Sequence, residues 1–482
     1  MLITPLGFLL IPLGIILLFF KTKFLLYAIV ITSVFFNTSI INSPFLMERI
    51  QPVYYFLMLL IIKRLFLLIK NNKILIYQKI EYSLLIFFVF VSFISLLMPL
   101  LLQNEIRVLG FDQSSFGAIN KLPYKEISIP LQLRRTNFTQ LLYLLFVSLS
   151  YFFINLEIKD KNEIIKITNL YIYSGVFITL QGLFYQFAVM TNKYSLYDYI
   201  NYFLKGEFIP FNGKMMTNSI PRMYTIVGEP GYTASFLLLP IIILFVDIFT
   251  HSKSSSIKKY ILFFLLLTGL FFSSSTTGYL GLFVLFISYV LLNLIKLYNK
   301  YNIINLLNLI KFSAIIFVVI IIFSILIKNP INYLIFNHLD KLKLQSGSGM
   351  VRFLHAKTSF DIFLKSPILG VGYGSHRSPS AIMTLLANTG LIGTTLFILF
   401  NVCSIRKALI LKKYINNNFL KNNLYSFGLV ALVYLILMIF AKSISFILFL
   451  FYWINLALIT STYKIYKGDY SNENSHRHHS YK

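Results

Sequence analysis

The chain has 482 residues, 57% hydrophobic and 12% charged, and its 43 Lys and Arg outnumber 16 Asp and Glu for a formal charge of +27. A mean hydropathy of +0.76 excludes a soluble domain. A basic excess in a soluble protein points to nucleic acid, but here it falls between apolar runs. Membrane placement and anionic lipid headgroups account for it there, and no nucleic-acid partner is expected.

The first twenty residues, "MLITPLGFLLIPLGIILLFF", have no positive leader region and no small-residue cleavage site, so they read as a retained span. Apolar runs long enough to cross a hydrocarbon core of about 30 Å as helices follow to the far end, and barrel patterning is absent. Hydropathy places them at 2–20, 24–41, 46–62, 81–102, 138–155, 168–190, 231–250, 260–272, 278–295, 312–327, 380–400, 424–440 and 443–460. The expected fold class is therefore an all-α polytopic membrane protein of roughly twelve to thirteen transmembrane helices. Ending the third span at Ile62 puts Lys63 and Arg64 in a loop.

The connections 63–79, 251–259, 296–311 and 406–421 are short and basic, hence cytoplasmic. The long connections 103–137, 191–230 and 328–379 then lie outside, with Glu105, Asp112, Glu126, Asp198, Glu207, Glu229, Asp340 and Asp361. Polar chemistry is expected on that face. Residues 1–460 read as one transmembrane domain and 461–482 as a polar cytoplasmic tail, solvated or, through its histidines, metal-binding. The lone Cys403 rules out an internal disulfide and reads as a packing residue.

Two stretches of the outer connections carry unusual polar residues. In "RMYTIVGEPGY", Arg222 and Glu229 stand seven apart, but Gly228 and Pro230 argue against a continuous helix, so the stretch reads as a loop entering the membrane at Gly231. Arg222 is either a functional cation or a snorkelling arginine, and Glu229 either a base or the group that orients Arg222. In "SGSGMVRFLHAKTSFDIFLKSPILGVGYGSHR", Phe353, Ala356, Phe360, Phe363 and Leu364 form a helical stripe opposite Arg352, His355 and Ser359. This is the pattern of an amphipathic helix on the outer membrane surface, with its polar face toward headgroups or water. Gly370, Gly372 and Gly374 then mark a tight, close-packed turn where backbone would approach a substrate; with no preceding strand, a dinucleotide loop is rejected. Gly390 and Gly393 in "TGLIG" would let another helix approach.

The segment Ser273–Phe400 resembles the core of the O-antigen polymerase and ligase family. It carries a Ser/Gly-rich link "SSSTTGYLGL", an arginine before an outer-loop helix (Arg352), a Pro367–Gly374 turn of the form P-x-x-G-x-G-x-G, and a closing "TGLIG"; Arg222 with Gly-Glu-Pro is similar to the motif that precedes the core. Two departures stand out. Members often have an arginine where this chain has Thr276 or Thr277, and ligases commonly carry a His-Asn pair where it has Pro379 and Ser380, which favours a polymerase.

What the resemblance implies is a C-type glycosyltransferase-like fold in the bacterial inner membrane. Its activity would be the joining of undecaprenyl-diphosphate-linked glycan units at the periplasmic face, as a polymerase or alternatively a ligase; a polysaccharide transporter or flippase is the further alternative. Membrane lipids and a chain-length regulator protein would be its partners, and no cofactor is implied. Charge grows on the leaving diphosphate, and arginine binds such oxygens bidentately, so Arg222, Arg352 and Arg377 are the expected diphosphate-binding residues. Glu229 and His376 are the candidate general bases. With no Asp-x-Asp pair, no metal site is expected.

Overall fold

The computed structural model describes residues 2–43, 48–70, 80–110, 128–191, 194–206, 216–217, 220–250, 256–299, 347–411, 415 and 417–479. The expected span at 312–327 and the acids Asp112, Glu126, Glu207 and Asp340 lie outside them.

Helix α1 (Pro5–Phe19) starts where local chemistry directs: Thr4 accepts the Gly7 N–H at 3.0 Å and Pro5 occupies the first turn, where its missing donor costs nothing. α2 (Thr22–Thr32) stops well short of the expected 41. Beyond it the chain turns, with Ser33 Oγ donating to Val30 O and Thr38 Oγ1 to Phe35 O, local bonds that compete with a helical ladder. It then forms an antiparallel sheet of β1 (Leu2–Ile3), β2 (Ile41–Ser43) and β3 (Glu48–Ile50), with Asn42 opposite Leu2 and Arg49.

α3 (Pro52–Lys70) runs through Lys63 and Arg64 and does not end at Ile62. Both cations stay helical because neighbouring elements satisfy them. Arg64 pairs with the buried Glu157, and Lys63 donates to the carbonyls of Leu18 and Phe20 at the end of α1. α4 (Ile80–Ile94) continues through a 3-10 turn to Leu101, followed by a hairpin of β4 (Arg107–Val108) and β5 (Ile129–Pro130). Next come α5 (Arg135–Glu157), α6 (Lys161–Met190), capped by Asp160, and α7 (Tyr194–Lys205).

A short pair, β6 (Met216–Thr217) and β7 (Ile220–Pro221), leads to α8 (Pro230–Thr250), α9 (Ile257–Phe272) and α10 (Thr276–Asn299). α11 (Gly347–Lys365), α12 (Ala381–Leu411), α13 (Asn418–Phe440) and α14 (Leu450–His479) complete the order. α14 carries helix through most of the segment expected as a solvated tail.

Among the described residues seven helices are long and apolar enough to cross a membrane: α3, α4 with its continuation, α5, α6, α8, α12 and α13. α1, α2 and the first part of α10 are shorter apolar helices. The protein is thus an all-α, multi-pass membrane protein. The innermost of these seven described spans is α8, whose apolar window is 89% buried, packed by α6, α9, α10 and α13. Tyr434 of α13 donates to Ser235 O of α8 at 2.9 Å, fastening the two helices near the face that carries the long loops.

α12 is broken at Gly390, which adopts φ 62°, ψ −163°. The turn after α11 fills the break: Val371 N donates to Ala387 O (2.8 Å), Gly372 N to Asn388 O (3.0 Å), and Leu391 N to Pro367 O (2.8 Å). Gly370, Gly372 and Gly374 all have positive φ, and a Cβ at Gly370 would strike the backbone of Ala387–Thr389. A Cβ at Gly390 would in turn strike Ile368 O. The glycines therefore permit a backbone-on-backbone contact between the turn and α12; Gly390 admits this turn and not, as expected, another helix. We expect Gly390→Ala to cost on the order of 2 kcal/mol. The check is thermal unfolding of purified protein in detergent, where an unchanged midpoint would refute this reading of the break.

Candidate active site at the long-loop face

The approach to α8 is built by residues 222–229. Thr225 and Gly228 exchange backbone hydrogen bonds (2.9 and 3.3 Å), a tight turn that Gly228 closes at φ 119°. Thr225 Oγ1 bonds Thr233 Oγ1 at 2.7 Å, Gln181 Oε1 accepts from Ile226 N at 3.1 Å, and Ile226 O accepts from Asn37 N at 2.9 Å. The turn is thereby tied to α6, to α8 and to the segment after α2. Glu229 follows at the N-terminus of α8, its carbonyl accepting the first helical bonds from Tyr232 N and Thr233 N, while its side chain is exposed. A carboxylate there is favoured by the helix dipole.

Arg222 is half-buried beside this turn, and its Nε is enclosed with no hydrogen-bond partner among the described residues. Such a donor is costly to enclose. Arg352, near the start of α11, meets the same electrostatic field. Its side chain is exposed, yet surrounding protein partly desolvates it; that desolvation and then the like charge of Arg222 lower its pKa, and Glu229 opposes them. Tyr224 lies in this field too, its pKa raised by burial and Glu229 and lowered by Arg222.

One further cation joins them. Lys442 follows the end of α13 and is 3% exposed. Its Nζ donates to Gly231 O at 2.5 Å and sits 4.8 Å from the ring centroid of Tyr232 and 5.6 Å from that of Phe446. Burial first, then Arg352, depress its pKa to about 7, with Glu229 opposing. The space beside Gly231, where a side chain would project, is bordered at 3.7–3.8 Å by Lys442 Nζ, Ser275 Oγ and Thr277 Oγ1. Ser275 and Thr277 thus bring the Ser-rich link to the same point. Sequence reading missed Lys442; the available signal was one lysine in a two-residue gap between apolar runs on the side away from the basic loops.

The remaining residues expected at the site form a neighbouring group. α11 turns only Arg352 of its polar stripe outward. His355 and Ser359 are buried against the protein, and Phe353, Phe360 and Leu364 are exposed. The reason is His376, fully buried in the glycine turn: its Nδ1 accepts from Leu109 N at 3.2 Å, which leaves Nε2–H to donate to Ser359 Oγ at 2.9 Å, while Ser359 donates to His355 O at 2.8 Å. Asn388 of α12 brackets the His376 backbone, accepting from its N–H and donating to its C=O, each at 2.9 Å. Burial, then His355, lower the His376 pKa to about 3. Arg377 donates its backbone N–H to Leu109 O, and its charge acts on His355, lowering the pKa that burial has already lowered. The structure therefore gathers Arg222, Glu229, Arg352 and Lys442, and sets His376 and Arg377 beside His355. Pro379 and Ser380 lead into α12, where Ser380 Oγ donates to Ile439 O (2.7 Å) and Ala381 N to Lys442 O (2.5 Å), so this position packs against the turn that carries Lys442. Among the described residues, no three His, Cys, Asp or Glu side chains converge as metal ligands would.

Residues 261–398 match the O-antigen ligase family model. That segment, less than half of the chain, is similar to the O-antigen ligase family. The family segment spans most of α9, the link with Ser275 and Thr277, α10, α11, the glycine turn and the first part of α12. It contains Arg352, His376 and Arg377; Arg222, Glu229 and Lys442 come to it from outside. No curated protein matches the chain.

A histidine held neutral in the fold destabilises it wherever the unfolded chain would take up the proton. His376 has a folded pKa far below its ordinary value of about 6.5, so stability is intact above 6.5 and falls below it, by up to about 1.4 kcal/mol per pH unit. Unfolding midpoints should drop between pH 6.5 and 5, and His376→Gln should flatten that slope; an equal slope in the variant would refute it.

Proposed function

We propose that this protein joins lipid-diphosphate-linked glycan units, as a polymerase. The observation that carries the reading is the convergence of Arg222, Arg352 and Glu229 at the N-terminus of α8, on the face of the long loops. In the proposed reaction a hydroxyl of the acceptor glycan attacks the anomeric carbon of the donor. The bond from that carbon to the carrier's diphosphate oxygen breaks, the hydroxyl proton passes to Glu229, and the lipid diphosphate leaves.

Charge builds on the leaving diphosphate, and in this reading the two guanidinium groups receive it. Glu229 suits the base's role because its carboxylate is exposed at the site. His376, with both ring nitrogens engaged, holds the glycine turn on α11, and Arg377 supports that turn beside His355. Favouring a polymerase over a ligase, Pro379 and Ser380 stand where the family's ligases commonly have a His-Asn pair. The site would face the periplasm from the inner membrane, since the basic loops lie at the opposite helix ends.

Arg222→Ala and Arg352→Ala should each slow glycan lengthening about a hundredfold, on the order of 3 kcal/mol, with membrane insertion at normal level. Gel ladders of surface glycan provide the check, and full-length ladders in both variants would remove the arginine assignment. Deleting the gene tests the polymerase itself. Single repeat units on the final acceptor support it; long glycans stranded on the lipid carrier indicate a ligase, and units facing inward a flippase.

A further inference from the structure

We propose that Lys442 is a substrate-binding residue of this site, its amine reaching a phosphate oxygen of a lipid-linked diphosphate from beneath Arg222 and Arg352, with Ser275 and Thr277 as flanking hydroxyl donors. The inference rests on the diphosphate reading above and adds a group that lies outside the family segment.

Three features of the site support it. Lys442 Nζ, Ser275 Oγ and Thr277 Oγ1 lie within 3.8 Å of one point beside Gly231, so an amine and two hydroxyls from separate segments converge there. A buried amine is costly to charge unless compensated, and among the described residues its partners are a single carbonyl and two aromatic faces, with no carboxylate bonded to it. Its backbone is fixed as well, Ala381 N donating to Lys442 O and Ser380 Oγ to Ile439 O, so the ammonium is carried on a rigid turn between α13 and α14.

Among the described residues, the ionisable groups that act on or face Lys442 are Glu229, just before α8, Tyr232 on α8 and Arg352 on α11, and Arg222 acts in turn on Arg352; Ser275, Thr277, Ser443 and Ser445 add only hydroxyls. Without an anion the amine titrates at about 7, so above pH 7 it is largely neutral. A diphosphate favours the ammonium, so binding above pH 7 takes up a proton and weakens as pH rises, up to about tenfold per unit. Below 7 the amine is already charged and binding there takes up little.

The test is titration calorimetry of full-length protein in detergent with farnesyl diphosphate, from pH 6 to 9, in two buffers of different ionisation enthalpy. Lys442→Arg keeps the cation and reports the diphosphate's own titration. Wild type should take up more protons than Lys442→Arg at pH 8 and the same at pH 6, and between pH 8 and 9, where the diphosphate is fully ionised, its Kd should rise with pH while that of Lys442→Arg stays flat. Lys442→Met should bind at least tenfold more weakly than wild type at pH 6. Equal proton uptake in wild type and Lys442→Arg, or undiminished binding by Lys442→Met, overturns the inference; if Arg222→Ala still weakens binding, the diphosphate reading survives. No binding by wild type removes both. Inorganic pyrophosphate, run in parallel, distinguishes a lipid-linked ligand from a free one: tighter binding of the farnesyl compound supports the proposal, and equal binding overturns its lipid-linked part.

Discussion

Everything at the long-loop face depends on one electrostatic constraint: two arginines and a lysine are held near one carboxylate at the end of a helix that the protein almost wholly encloses. In water such charges would be hydrated and their repulsion damped; at the end of α8 burial removes part of that shell. The lowered pKa values of Arg352 and Lys442 record this cost. Glu229 relieves part of it, as do Gly231 O and the ring of Tyr232. An unbonded donor at Arg222 Nε and a depressed lysine are what a site looks like when its fixed charges exceed its internal counter-charge.

Holding that arrangement requires rigid supports from distant parts of the chain. The turn at Thr225–Gly228 fixes Arg222 and Glu229 to α6 and α8. The broken helix α12 clamps the glycine turn, and through His376 and Ser359 that turn draws the polar face of α11 inward. Arg352 is one helical turn from His355, so docking the buried His355–Ser359 stripe also sets where the guanidinium lies. This inward-facing stripe reverses the pattern of an independent surface helix, because the histidine and serine find partners in protein where water would otherwise supply them. The aromatic stripe is left outward, a surface compatible with lipid.

Much of this was legible from composition and pattern. Apolar runs the length of a bilayer specify helices because no other backbone arrangement except a closed barrel satisfies its own hydrogen bonds in hydrocarbon. Gly370, Gly372 and Gly374 announced a tight turn, though not that it would pack on the backbone of α12 at Gly390, and all four adopt positive φ. Boundaries were less readable. Hydropathy ended α3 at Ile62 because a charged pair is costly in lipid, but it cannot see that Glu157 and the carbonyls of Leu18 and Phe20 wait on neighbouring helices. In the same way the run after α2 looked long enough to continue, until local hydroxyl bonds and pairing with β1 and β3 turned it aside.

By itself, then, the sequence determined that the protein is a bundle of membrane helices, which connections are polar, and that Arg222, Glu229 and Arg352 are exceptional in such a chain. Period and hydropathy are local properties, and they suffice for those statements. Only the tertiary structure decided which of these residues share one site. It brought Lys442 to Gly231 across more than two hundred residues of chain and buried His376 with both nitrogens engaged. It also turned the glycine run onto α12. Those outcomes depend on which helix ends meet, and that is set by the packing of α8, α12 and α13 together, not by any single segment.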